Sequence, residues 1–336
     1  MDLLANDEQQ QLIDAFARAA FEMFPLSGEH SRITDEEWRA VAALGWLGIL
    51  TPEAQDGPGL NSVEAILLFR EIGRQLVPGP LLASVLGARA AALAGDSALA
   101  ASIVEGKTRV ALLEQADSRG NDKSFRIIDG EDAALGLLLM PEAATLFALP
   151  ANRRSVVSID PASMLETSEQ PGEAKLTVTA GTAPLFVQAN LLLAAMAAGV
   201  CEATRDESAN YARIREQFGR PIGAFQAVSH RCADMAARAD VAWMQVVMAA
   251  LTLDAGEADS AFAVDCARLV ALTNAGASAQ DNVQNHGGMG FTEKLPPSRF
   301  VKRAFLFDKL LGGKRAAQDR ILSVPRAIVQ GEMRAA

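Results

Sequence analysis

Two short stretches of this chain carry residue types able to do chemistry on a ligand. One is Arg215-Glu216-Gln217-Phe218-Gly219-Arg220-Pro221-Ile222-Gly223, the other Gln284-Asn285-His286-Gly287-Gly288-Met289-Gly290-Phe291. Each sets a polar group, the Arg215 guanidinium or the Gln284 amide, beside glycines that leave backbone N–H groups bare to a phosphate or an adenosine. A guanidinium offers a charge-assisted fork to a pyrophosphate, and paired glycines let the main chain come close to it. Neither stretch has G-x-G-x-x-G spacing and neither follows a strand pattern. A Rossmann-type site is therefore excluded, and a dinucleotide laid between helices is the expectation.

The other reactive residue types are sparse. His286 lies within the second stretch, where it either touches pyrophosphate or packs at a helix end. His230 reads as an interface or core histidine, and His30 falls in a polar loop without signal. Cys201, Cys232 and Cys266 sit far apart in helical patterns with no metal-ligand spacing, so buried thiols in a reducing cytoplasm are expected and no metal site. Met235, Met244, Met248 and Trp243 recur at helical spacing and read as core or subunit-interface packing.

These stretches need a scaffold. A chain of 336 residues holds two or three domains, and half of it is hydrophobic while only 5% is aromatic, which favours helices. A net charge of −10 argues against nucleic acid as the main partner. The start, Met1 to Glu8, has neither a basic nor an apolar segment, so no signal peptide is expected. The longest apolar run, Leu191 to Val200, is about half of what spans a bilayer, so no membrane partner is expected and the location reads as cytoplasmic.

Residues 1–107 read as helices joined by short turns. Thr34 or Asp35 caps the second helix, Asp56-Gly57-Pro58-Gly59 is a turn, and Pro78-Gly79-Pro80 separates two helices. From 108 to 185 the texture changes to short runs bounded by Gly, Pro, Asp and Asn: 109–113, 124–128, 137–140, 155–159 and 175–178. They predict a small, truncated β domain. Helices resume in 186–336, over 186–217, 223–254, 259–284, about 297–311 and about 314–330. Helix, strand and helix regions are thus segregated rather than alternating.

At this point the residues resemble the acyl-CoA dehydrogenases over nearly the whole chain. The resemblance is carried by Leu44-Gly45-Trp46-Leu47-Gly48-Ile49, Pro52-Glu53, Gly57-Pro58-Gly59-Leu60, Glu71-Ile72-Gly73-Arg74 and Pro78-Gly79-Pro80. Further along it is carried by Tyr211 through Gly219, Phe225-Gln226-Ala227-Val228 and Gln284 through Phe291. It implies a mainly α protein with an N-terminal helical domain, a small β-barrel middle domain and a C-terminal four-helix bundle. It also implies FAD, an acyl-CoA substrate, tetrameric assembly and an electron-transfer flavoprotein as a possible acceptor. By the same resemblance Arg215, Gln217, Phe218, Gly219 and Gln226, with Gln284, Asn285, His286, Gly287 and Gly288, hold the adenosine half of an FAD seated mainly in a neighbouring subunit.

The family reaction takes a proton from the α carbon and a hydride from the β carbon, so it needs a desolvated carboxylate as base. Most members carry a glutamate fifteen residues after the proline here numbered Pro296, a position held by Leu311. Others carry it 26 residues before the arginine here numbered Arg215, at Ala189, with Asn190 where an arginine follows. The usual flavin-touching threonine and glutamine are replaced by Gly313 and Arg315. Only a remnant of the flavin-contacting loop remains around Glu114 to Gly120, and 128–134 lacks the Lys-x-Trp-Ile-Thr-Asn continuation.

The ring-facing half of the site is eroded, then, while the adenosine edge is kept. That pattern resembles the base-less subunit of α2β2 bacterial acyl-CoA dehydrogenases, sterol side-chain degradation among them, in which a homologous partner supplies the base. Two alternatives stand beside it: a non-catalytic scaffold or ligand-binding subunit, and a homo-oligomeric enzyme using a displaced base. Asp308, three residues before Leu311 and on the same face of an expected helix, is the weak candidate for that base. Arg299, Lys302, Arg303, Lys309, Lys314 and Arg315 form a basic run that is either a solvated helix face or a surface for CoA phosphates or an acidic partner.

Overall fold

The computed structural model of the chain describes residues 3–28, 31–55, 57–116, 124–181, 184–293 and 295–324. His30, Asp56, Lys294, the stretch beyond Ala116 through Gly120, and the far end of the expected terminal helix lie outside them.

Five helices open the chain: α1 (Asp7–Met23), α2 (Asp35–Ala43), α3 (Ser62–Arg74), α4 (Leu81–Leu93) and α5 (Ser97–Val104). Their starts are encoded locally. Asn6 and Thr34 each accept the N–H three residues on, while Gln9 and Glu37 reach back to the cap N–H, so both pairs close capping boxes. Helix α4 is buried nearly all round, as its Ala- and Leu-rich sequence requires.

Seven strands follow: β1 (Val110–Gln115), β2 (Phe125–Ile128), β3 (Leu135–Leu139), β4 (Ala143–Ala148), β5 (Arg154–Val156), β6 (Leu165–Ser168) and β7 (Glu173–Thr179). They make one sheet in the order β5-β6-β2-β1-β3-β4-β7, with β1 parallel to β3 and every other pair antiparallel. Strands β4 and β6 lie outside the short runs read from the sequence. In β1 the alternation has physical meaning: Val110 and Leu112 enter the main core, and Ala111 and Leu113 enter a smaller cluster with Ile127 and Ala133 on the other face. Ser84 of α4 holds the start of the central strand β1, its hydroxyl accepting from Val110 N–H at 3.1 Å.

The rest is helical: α6 (Leu185–Ile214), a two-stranded hairpin β8 (Glu216–Gln217) and β9 (Arg220–Pro221), α7 (Gln226–Asp254), α8 (Ser260–His286), α9 (Pro297–Phe307) and α10 (Gly313–Ser323). Helices α6 and α7 are long and apolar enough to cross a bilayer, but the apolar stretch of α6 is 89% buried within this chain, against 33% for α7. The burial marks α6 as the central core helix. On α7, Met235 is buried while Val241, Met244 and Met248 are partly exposed, and Trp243 lies under the Arg70 guanidinium.

Two joints tie the three regions together. Helices α3 and α6 touch backbone to backbone: a Cβ on Gly73 would lie 2.0 Å from Met196 O, and one on Gly199 2.0 Å from Arg70 O. Around that contact Arg74 meets Glu202 at 2.7 Å and Asp206 at 3.0 Å. At the second joint the buried Arg303 of α9 pairs with the buried Asp160 beside the sheet and donates to Val77 O at 3.1 Å and Leu76 O at 3.2 Å. Arg299 likewise donates to Gly28 O at 2.6 Å and to Leu26 O. The basic run is therefore not one solvated face, because two of its arginines are interdomain ties. Of the three cysteines, Cys201 is buried and Cys232 and Cys266 are half-buried thiols. Exposed His230 is not a core residue of this chain.

Removing one partner of a buried ion pair strands the other charge. Asp160→Ala is expected to lower unfolding stability by about 3–5 kcal/mol, read from the urea midpoint. Exchange of a surface pair such as Glu293–Lys302 is expected to cost under about 1 kcal/mol in the same assay.

Candidate active site

Helix α6 stops at Ile214, and Arg215 is extended. Phe218 (φ 55°) and Gly219 (φ 78°) are then the two central residues of the hairpin turn between β8 and β9. Both angles are left-handed, as a two-residue hairpin turn of this kind demands. Gly219 thus serves a hairpin and is not a helix cap. Ile222 N–H donates to Arg215 O at 2.8 Å, which fixes the hairpin against the helix end. The Phe218 ring is 93% exposed and meets Phe225 edge-on, and Arg220 lies over Phe225 at 4.2 Å. Arg215, Gln217 and Gln226, the last opening α7, are all exposed.

The second stretch closes α8. Gln284 is exposed, and Gly287 takes φ 60° and ψ −143°, a conformation that glycine alone adopts readily. Gly288 is different: its φ is not positive, and an added Cβ would meet nothing within 4 Å. The chain's own packing does not demand glycine there. Asn285 is turned inward, accepting from Arg231 at 2.9 Å and facing the sulfurs of Cys232 and Met235. His286 is also buried, with Nδ1 at 2.8 Å from Asn282 O and its ring stacked on Tyr211 at 4.1 Å. Burial holds its pKa below the ordinary histidine value, against the opposing effect of the Asn282 carbonyl. Of the two readings for His286, packing at a helix end is the one observed. The stack and the Arg231–Asn285 bond bring the end of α6, the start of α7 and the end of α8 together.

The positions where a base is expected lie elsewhere. Ala189 and Asn190 sit near the start of α6, both buried. Helix α9 ends at Phe307, and Leu310–Gly312 form a single tight turn in which Leu311 is left-handed (φ 50°, ψ 36°). Asp308 is the residue that ends α9, so it does not share a helix face with Leu311. Its carboxylate accepts the Lys314 N–H at 3.3 Å and lies 3.8 Å from Lys314 Nζ and 3.9 Å from Lys309 Nζ.

A buried guanidinium binds these positions to one another. Arg268 of α8 donates to Asn190 Oδ1, to Leu311 O at 3.1 Å and to Leu310 O at 2.5 Å. Burial, aided by the charge on Arg320, pulls its pKa down to about 10. From the other side the Leu311 N–H donates to Glu114 Oε1 at 2.5 Å, and Glu114 also meets Arg126 at 3.3 Å. Neither arginine nor glutamate was singled out from the sequence, although a lone Arg within Ala267-Arg268-Leu269-Val270-Ala271 is a charge in an apolar helix, and that is a readable signal. The wall they make faces a cleft of about 910 Å³ between the sheet and α10.

Tyr211, at the glycine-lined edge, and Ala189 lie 22 residues apart on one unbroken helix. At 1.5 Å per residue that is about 33 Å, farther than one flavin dinucleotide extends. The edge and the base positions of a single chain thus lie towards opposite ends of α6. The edge offers the adenosine half of FAD an exposed cation at Arg215 and, at Gly287 and Gly288, glycines whose missing Cβ leaves room, while the Gly287 N–H is given to Gln284 O. The other half does not fit the oxidising end of a complete site, since Leu311 and Ala189 present no proton acceptor. Among the described residues no cluster of His, Cys, Asp or Glu could hold a metal ion.

Residues 6–106 match the acyl-CoA dehydrogenase N-terminal domain, and residues 184–323 match the acyl-CoA dehydrogenase C-terminal domain. The chain is 31% identical over 326 residues to acyl-CoA dehydrogenase FadE34 of Mycobacterium tuberculosis, covering 88% of this chain but 43% of that protein. It is 30% identical over 294 residues to acyl-CoA dehydrogenase IpdE2 of the same organism, covering 85% of each. The fold is that of the ChsE4–ChsE5 complex from M. tuberculosis, with TM-score 0.82, 23% identity and full coverage of both chains. It is also that of butyryl-CoA dehydrogenase from Megasphaera elsdenii, with TM-score 0.79, 19% identity and coverage of 98% of this chain and 100% of that one. The chain belongs to the acyl-CoA dehydrogenase family, whose cofactor is FAD.

Gly288→Ala is expected to leave the melting temperature unchanged, whereas Gly287→Ala, forced into left-handed backbone, should cost about 1–3 kcal/mol. Thermal melts of the two variants check the contrast. A pH effect comes from Glu207, which accepts from Asn282 Nδ2 at 3.2 Å and whose pKa burial raises from 4.5 to about 7, with Asn282 and Arg299 opposing. A carboxyl held high in the folded state favours folding while protonated, so its contribution is full below its unfolded pKa and is lost as pH rises through about 7. Glu207→Gln should therefore raise the melting temperature at pH 8 and leave it nearly unchanged at pH 4.

Proposed function

We propose that this chain is one subunit of an FAD-dependent acyl-CoA dehydrogenase that introduces an α,β double bond into a CoA thioester, with the catalytic base supplied by a homologous partner. The observation that carries this is the division along α6: a glycine-lined cationic edge at one end, and positions without a proton acceptor at the other. Arg215 pairs with the pyrophosphate, the side-chain-free backbone of Gly287 and Gly288 lies close to it, and Gln284 and Gln226 supply amides to the adenosine end. Phe218, nearly fully exposed, gives a ring for a planar or apolar surface of the neighbouring subunit. When bound, FAD accepts the hydride from the β carbon. The α proton goes to a carboxylate of the partner, since Leu311 and Ala189 hold none.

The exposed Val241, Met244 and Met248 on α7 suit a face covered by that partner. The likeness to a structure described as a complex of ChsE4 with ChsE5 supports a two-chain assembly. A homo-oligomeric enzyme based on Asp308 is less well supported, because that carboxylate is occupied by the Lys314 N–H and two ammonium groups. A pure scaffold would give no reason for a glycine at 288. Reoxidation by an electron-transfer flavoprotein completes the proposed cycle.

FAD absorbance tests the proposal. The chain purified alone should be colourless, and co-expression with a homologue carrying glutamate at the Leu311 position should give one FAD per pair. Within that pair Arg215→Ala is expected to weaken FAD about tenfold or more, the loss typical of one charge-assisted bond. One FAD per chain, with dehydrogenation by the chain alone, overturns it.

A further inference from the structure

Where α3 and α6 meet, carboxylates and guanidiniums are matched. Glu71, Glu202 and Asp206 pair with Arg70, Arg74 and Arg205 at 2.7–3.6 Å. Glu207, the next residue along α6, has no such partner. Asn282 of α8 gives an N–H to its Oε2 at 3.2 Å, while its Oε1 has neither a hydrogen bond nor an ion pair among the described residues. The Arg299 charge acts on it only from a distance, because the terminal N–H groups of that guanidinium go to Gly28 O and Leu26 O. A half-buried carboxylate without a cation is costly, and burial raises the Glu207 pKa to about 7. Groups perturbed in this way concentrate where a ligand supplies the missing charge.

Glu207 lines a cleft of about 480 Å³ between the end of α1, the end of α3 and α6. Gln75, the residue that ends α3, adds to its wall a carbonyl Oε1 that is shut off from water and has no donor among the described residues. Phe21 and Leu26 supply apolar surface, and Phe21 is 63% exposed. Arg213, also lining the cleft, is exposed and has no ion-pair partner among the described residues. Asp206 and Arg74 line it too, but they already hold each other at 3.0 Å. Glu207 and Arg213 stand six residues apart on α6, about 9 Å along its axis. One unmet anion and one unmet cation thus share a cleft with an apolar wall.

We infer that this cleft binds a small ω-amino carboxylate, its ammonium on Glu207, its carboxylate on Arg213 and its methylene chain against Phe21 and Leu26. A zwitterion is favoured over a plain amine or a plain carboxylate, because each of those leaves one protein charge unmet. The chain between the two charges is needed because Glu207 and Arg213 are not neighbours on the helix. None of the cofactor-edge residues lines this cleft, so the inference does not rest on the dehydrogenase reading.

The test is calorimetric titration of ε-aminocaproate into the full chain, or into its pair with the partner where only the pair is soluble. It is run at pH 8, where Glu207 is ionised. Saturable binding at about millimolar concentration or below is expected. Glu207→Gln removes the anion and keeps the shape, so it should lose about tenfold or more in affinity. Arg213→Ala, at an exposed position, should lose about threefold, and Arg215→Ala should lose nothing. Pentylamine, which lacks the carboxylate, should bind about threefold more weakly than ε-aminocaproate and be indifferent to Arg213→Ala. Caproate, which lacks the ammonium, should not bind. Absence of saturable ε-aminocaproate binding, equal binding of caproate, or an affinity unchanged in Glu207→Gln overturns the inference.

Discussion

Helices α3 and α6 meet where Gly73 and Gly199 face each other's backbone, and much else follows from how close they come. A Cβ at either position would lie 2.0 Å from a carbonyl oxygen of the other helix, so no other residue permits the contact. The closeness brings Arg70, Glu71 and Arg74 of α3 against Glu202 and Asp206 of α6, as an ion-pair cluster formed by helices that lie far apart in sequence. With α6 held on one side by α3, its other faces are free to take α7 and α8. One unbroken core helix then carries the start of the sheet-facing cleft at one end and the cofactor edge at the other.

The division of labour proposed for the chain is a consequence of that geometry. A helix of 30 residues spans about 45 Å, so the features at its two ends lie far apart. At the α6 start, Arg268 and Glu114 hold the Leu310–Gly312 turn from opposite sides, one taking its carbonyls and the other its N–H. A buried cation of this kind is tolerated because its donors meet three acceptors, which offsets part of the cost of leaving water. The result is a wall in which positions 311 and 189 carry no carboxylate, beside a cleft lined by several cations.

Much of this was legible in residue order. Helical spacing, capping pairs such as Thr34 with Glu37, and turn residues such as Pro78-Gly79-Pro80 are local signals, because backbone preferences and i to i+3 hydrogen bonds involve only neighbours. The two glycine-bearing stretches and the loss of glutamate at positions 311 and 189 were likewise readable, since each concerns the chemistry of one residue at one place. Even the division into helical, sheet and helical regions came from composition.

What the tertiary structure alone decided concerns pairs distant in sequence. That Arg303 is a buried tie to Asp160, that Gly219 turns a hairpin, that Asn285 and His286 face inward, and that α9 stops before Asp308 reaches Leu311 all depend on which surfaces meet. Charge type says that an arginine must find acceptors; it does not say whether water, a neighbouring turn or a carboxylate 143 residues away will provide them. Residue types thus marked this chain as a helical acyl-CoA dehydrogenase homologue and, through that resemblance, showed leucine and alanine at the family's usual base positions. Packing decided where its buried charges go, because desolvation is settled only when the chain has closed around them.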